Sequence, residues 1–142
     1  MMKKLIWLVV IVVVIFIVYR AMRQPAADER LPVSLKVELT VENSSGESGQ
    51  ATLSELDGQV MVTIALSGGP QDLPQPVHLH KGTCEALGEP IYTLSSVVNG
   101  VSETTLPVSL AAITGQLPLA LNVHKSAAEM SVYVACGEVT DD

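Results

Sequence analysis

The chain has 142 residues and a formal net charge of −7, enough length for one domain with its own core. From Gln24 onward four basic residues stand against fifteen acidic ones, a net of −11. That balance argues against nucleic acid as a partner and against steering small anions to a site. No glycine-rich phosphate loop or nucleophile-elbow motif is present, so nucleotide and esterase chemistry have no support.

Met1-Met2-Lys3-Lys4 is a short basic start, and Leu5 to Tyr19 (LIWLVVIVVVIFIVY) then runs fifteen residues without charge, Gly or Pro. As a helix this run spans roughly 23 Å, short of the ~30 Å hydrocarbon core of a bilayer. Lys3, Lys4, Arg20 and Arg23 can make up the difference by snorkelling, and Trp7 and Tyr19 lie near the two ends, where aromatic side chains favour membrane interfaces. Residues 1–23 therefore read as a transmembrane helix that anchors the chain. The alternative is a cleaved secretory signal with Pro25-Ala26-Ala27 as its small-residue site; Arg20 and Arg23 stand against cleavage. Both readings put the remainder on the extracytoplasmic side, periplasmic or at the cell surface, and secreted if the segment is removed. Residues 24–31 (QPAADERL) read as a polar linker and residues 32–142 as the domain.

The domain reads as strands. Val33, Leu35, Val37, Leu39 and Val41 alternate with polar residues, the period of a half-buried strand. Asn43 to Gly49 is a turn cluster. Gln50 to Leu56 and Gln59 to Leu66 flank Asp57-Gly58, a two-residue hairpin signal. A Pro-rich loop leads to a short strand from Val77 to His80, and Lys81 to Pro90 reads as loop. Ile91 to Val98, Glu103 to Leu110 and Leu117 to His124 are further strand candidates, the first closed by Asn99-Gly100. Lys125 to Met130 fits one helical turn, and Ser131 to Val139 a final strand. This pattern predicts an all-β sandwich or Greek-key β-barrel. Cys84 and Cys136 are the two cysteines; an even count in an exported domain points to one disulfide, with two buried free thiols as the alternative.

The three histidines are the most informative residues. His78 and His80 are two apart on a predicted strand and share a face, leaving Val77 and Leu79 for the core. His124 ends the strand whose Leu119, Leu121 and Val123 are core residues, and falls on the opposite face. Three imidazoles suit copper or zinc, and the Irving–Williams order favours Cu²⁺ for a given nitrogen site. Incidental histidines on the outside of a metal-free barrel give the same pattern.

Val60 to Cys84, ending in His78-Leu79-His80 and a loop cysteine, resembles a segment of the copper/zinc superoxide dismutases. Leu121 to Val139, with Asn122-Val123-His124 and then Ala135-Cys136-Gly137, resembles that family's late strands. Related CHRD-type domains share the short H-x-H and N-V-H motifs. The resemblance covers most of Val33 to Val139. It implies a flattened Greek-key β-barrel, His78, His80 and His124 as copper ligands, and a Cys84–Cys136 disulfide. The chain also departs from the family. No histidine lies between Cys84 and Asn99, which removes the bridging ligand, and no zinc is expected. Tyr133 stands where the family has an arginine that attracts superoxide, and Lys81 follows the H-x-H where an acidic residue is common. The expected function is a membrane-tethered copper-binding domain served by a copper donor or acceptor protein. A reduced superoxide dismutase, with Lys81 or Lys125 in place of the arginine, and a metal-free structural or interaction module are the alternatives. No catalytic residue is assigned.

Overall fold

The computed structural model describes residues 2–22 and 33–141. The chain divides into two compact units, Met1–Leu31 and Pro32–Asp142; the linker expected at 24–31 lies outside the described residues. The first unit holds helix α1 (Met2–Met22). Its described apolar side chains, Trp7 and Phe16 among them, are exposed. The expected transmembrane helix is not found: among the described residues no helix is long and apolar enough to cross a membrane. The uncharged run is only fifteen residues, about 23 Å of helix.

The second unit contains β1 (Val33–Val41), β2 (Ser48–Leu56), β3 (Gln59–Ser67), β4 (Gln75–Thr83), β5 (Ala86–Val97), β6 (Val101–Leu106), α2 (Leu110–Thr114), β7 (Leu119–His124) and β8 (Tyr133–Val139). The eight strands form one antiparallel sheet in the order β5-β4-β7-β8-β1-β2-β3-β6. The sheet curls so that its two ends meet. The β5–β6 connection brings Val98 and Val101 into a bridge, Ser95 N–H donates to Thr104 Oγ1 at 2.8 Å, and Ser102 Oγ donates to the Ser95 carbonyl at 2.7 Å. The result is a nearly closed barrel. β1 and β8 pair over a short ladder, Thr40 with Cys136 and Val41 with Ala135.

Local chemistry explains most of the elements. Asp57 and Gly58 take φ of 52° and 75°, and Asn99 and Gly100 take 52° and 82°. Positive φ at both central residues marks the tight turn whose twist matches flanking antiparallel strands. Alternation on β3 places Val60, Val62, Ile64 and Leu66 inside, and β1 contributes Val37 and Leu39. Val77 and Leu79 of β4 and Leu119, Leu121 and Val123 of β7 complete the core on the side that concerns function.

Three expectations need correction. Lys81 to Pro90 is not a loop: β4 continues to Thr83 and β5 begins at Ala86. Register shifts at Leu79/His80 and His80/Gly82 bend the pair, and Gly82 at φ +95° supplies a conformation that side chains rarely adopt. Those breaks in alternation hid the strands. The expected strand Glu103 to Leu110 stops at Leu106; Ser109 caps α2, its side chain accepting from Ala112 N–H. Lys125 to Met130 forms linked turns rather than a helical turn, held by Lys125 N–H donating to the Val132 carbonyl at 2.8 Å.

Candidate metal centre

β4 and β7 run antiparallel as neighbours, with His78 opposite Asn122 and His80 opposite Ala120. Directly opposed residues share a face, so His78, His80 and His124 meet on the outside of the barrel while Val77, Leu79 and Val123 pack inside. Each imidazole offers one ring nitrogen, and the three nitrogens lie within 4.8 Å of one another. The ring centroids are 4.9 Å apart for His78 and His124, 5.6 Å for His78 and His80, and 6.3 Å for His80 and His124.

The site is more enclosed than an outer face implies. His80 is 7% and His124 is 4% exposed, whereas His78 is half-buried. Main-chain carbonyls orient two of the rings. His80 Nδ1 donates to the Gly88 carbonyl at 2.9 Å, and His124 Nδ1 donates to the Met130 carbonyl. The protons are assigned from these partners, which leaves Nε2 of each ring as the nitrogen with a lone pair. His80 Nε2 is buried without a hydrogen-bond partner within the protein. His78 Nδ1 lies 2.9 Å from His124 Nε2 and therefore carries the shared proton. Tyr133 packs edge-on against His124, with ring centroids 5.2 Å apart.

These donors fit a divalent metal. Nitrogens bound at about 2.0–2.1 Å stand roughly 3.4 Å apart in a tetrahedral site and about 4 Å apart only when trans, so the widest pair needs to close by roughly 1 Å or a little more. Ligation requires His78 to move its proton from Nδ1 to Nε2, which its half-exposed ring allows. The carbonyls of Gly88 and Met130 then hold the other two rings in the tautomer that leaves Nε2 free to bind.

Burial and neighbouring rings favour the neutral forms of His78 and His124. The His78 pKa is lowered from 6.5 first by burial, then by charge repulsion from His124 and His80. That of His124 is lowered by burial; the bond to Met130 opposes this and His80 adds to it. In the unfolded chain both rings take up protons at higher pH than in the fold. The metal-free protein should therefore lose stability as pH falls below about 6.5 toward the lowered native values. Thermal melts between pH 7 and pH 5 should show this, with a shallower fall in His78→Gln. A midpoint that holds or rises on acidification in the wild type contradicts it.

Cys84 and Cys136 form a disulfide, with their Cα atoms 5.9 Å apart. It joins the β4–β5 turn to β8, and Cys84 N–H also donates to Glu138 Oε1 at 3.3 Å. Gly88, which holds His80, follows on the returning strand. The structure thus brings all three histidines together and pairs both cysteines. Sequence reasoning missed Gly88 and Met130, whose carbonyls carry no signal in side-chain identity. It also missed the full burial of Asn122 beside the histidines, the one amide inside the apolar run Leu119 to Val123. The sequence matches no protein-family model and no curated protein.

Proposed function

We propose that this chain is an extracytoplasmic copper-binding domain of the copper/zinc superoxide dismutase type, with a Greek-key barrel and without the zinc site. The observation that carries this reading is the set of three histidine nitrogens within 4.8 Å of one another, two of them fixed in tautomer by main-chain carbonyls. Neutral imidazole nitrogens on adjacent, hydrogen-bonded strands are a preorganised set of donors for Cu²⁺. Copper supplies one-electron redox chemistry when bound. The protein's own part is to present His78 Nδ1, His80 Nε2 and His124 Nε2, and to accept the proton displaced onto His78 Nε2. Tyr133 in place of a cation and the acidic domain leave anionic substrates unguided, which favours copper storage or delivery over rapid superoxide turnover. A copper donor or acceptor protein is the matching partner.

The formed disulfide supports an oxidising compartment. The apolar N-terminal segment with basic flanks supports export, with the segment kept at a membrane or removed as a signal.

Titration of the full-length protein, in detergent, with Cu²⁺ tests the copper site. One tight equivalent is expected, with nitrogen hyperfine structure in electron paramagnetic resonance, and His78→Ala/His80→Ala should abolish it. Absence of stoichiometric binding, or binding unchanged in the double variant, leaves a metal-free barrel that presents a surface to a partner.

A further inference from the structure

Among the described residues, three buried side-chain nitrogen and oxygen atoms have no hydrogen-bond partner. They are His80 Nε2, Asn122 Nδ2 and Asn122 Oδ1. All three fall in one patch. Asn122 lies directly opposite His78 on β4 and Cys136 on β8. It is two residues from His124 on the same strand, and diagonal to His80, whose own opposite residue is the small Ala120. Directly opposed side chains have Cβ atoms about 5 Å apart, and diagonal ones about 7–8 Å. Asn122 therefore stands on the imidazole-bearing face, between the three histidines.

An amide buried with neither polar atom engaged is unfavourable, and such groups in folded proteins call for a reason. Packing does not supply one: every other residue from Leu119 to Val123 is apolar, and leucine has nearly the same size. Water does not supply one either. Asn122 is 0% exposed, so no water-sized gap adjoins it. A bare metal ion, at about 2.0–2.2 Å from an oxygen donor, needs no such gap. Three nitrogens also leave one position short of the four that such sites use.

We propose that Asn122 Oδ1 is the fourth donor of this centre, making it a three-nitrogen, one-oxygen site. The inference rests on the three-histidine reading and adds a ligand to it. An amide oxygen is a neutral, comparatively hard donor, so it favours a divalent ion over Cu⁺. The site would then hold Cu²⁺ or Zn²⁺ more firmly than the reduced ion, which suits retention of the oxidised metal.

The test uses the full-length protein in detergent with Zn²⁺ and Cu²⁺ as probes, comparing wild type, Asn122→Leu, Asn122→Asp and His80→Ala. Asn122→Leu should weaken Zn²⁺ binding by about ten-fold or more and change the parallel g value and copper hyperfine splitting of the Cu²⁺ spectrum. The same variant, free of metal, should melt at a higher temperature than wild type, since it removes two unpartnered polar atoms. Asn122→Asp, which keeps the shape and supplies an anionic oxygen, should bind Zn²⁺ at least as tightly as wild type; it also serves if the leucine variant does not fold. Affinities within about two-fold of wild type (under half a kcal/mol) with an unchanged Cu²⁺ spectrum in both Asn122 variants overturn the proposal alone, provided that His80→Ala abolishes binding. A wild type that binds no stoichiometric metal overturns both this proposal and the three-histidine reading.

Discussion

Removal of the disulfide by Cys84→Ser with Cys136→Ser is expected to lower the stability of the barrel by about 4 kcal/mol. The bond spans a sequence separation of 52, and in the chain-entropy model a closure of that length removes much of the freedom of the unfolded chain. For a domain of this size the loss corresponds to a fall in melting temperature of roughly 15–30 °C. Denaturant titration of the oxidised protein and the double serine variant measures it. A midpoint unchanged within error would mean that the unfolded ensemble is already restricted near these cysteines. The same variant bears on the site, because the bond pins the β4–β5 turn to β8 close to Gly88, the residue that orients His80. Metal affinity should fall as the hairpin tip loosens, though by less than on removal of a histidine.

Leu79→Ala should lower stability by about 2–5 kcal/mol. Leu79 sits between the two histidines of β4, is 1% exposed, and faces Leu121 across the β4–β7 ladder. Truncation removes its burial and leaves a cavity that the sheet cannot collapse into, because the backbone on both sides is held by neighbouring strands. Urea unfolding should show a lower midpoint with an unchanged slope. His78→Ala makes the control: it is on the same strand but half-buried on the other face, so its effect on metal-free stability should be small. Equal effects from the two would mean that the assignment of inner and outer faces on β4 is wrong. Either large loss consumes a substantial part of the 5–15 kcal/mol margin typical of folded domains, so the combination should leave a sizeable unfolded fraction at 37 °C.

Regular alternation was the feature most readily legible in the sequence. β1 matches its expected bounds, and β2 and β3 differ from theirs by two residues or fewer, because one face of each is apolar and Asp57-Gly58 marks the turn. The two faces of β4 and β7 were legible for the same reason; the convergence of His78, His80 and His124 was implied only by the resemblance, because alternation does not say that β4 and β7 are neighbours. Where alternation fails, the reading failed. The bulges around His80 and Gly82 broke the period over Lys81 to Pro90, so two paired strand ends looked like a loop. α2 is five residues long, too short to show a helical period. The enclosure of His80 and His124 was also hidden, because it arises from the β4–β5 turn and the segment through Met130 folding back, which are tertiary events. Membrane crossing is the case where composition and length point in different directions: the segment is rich in apolar residues, yet its uncharged run is short for a bilayer.

The short β1–β8 ladder has a mechanical consequence. It is one of two seams in the barrel; the other is the β5–β6 connection. Between them the molecule falls into two four-stranded panels, β1-β2-β3-β6 and β5-β4-β7-β8. Small local openings favour boundaries with short ladders, so the panels should flex against each other along these lines, less at the β1–β8 seam, where Glu42 N–H, Asn43 Nδ2 and Ser45 Oγ also donate to β8 carbonyls. Every histidine, both orienting carbonyls, Asn122 and both halves of the disulfide belong to the second panel or its loops, and neither seam runs between them. The barrel can breathe without changing the spacing of its donor atoms, so a metal held there would be kept in place by one panel rather than by closure of the whole.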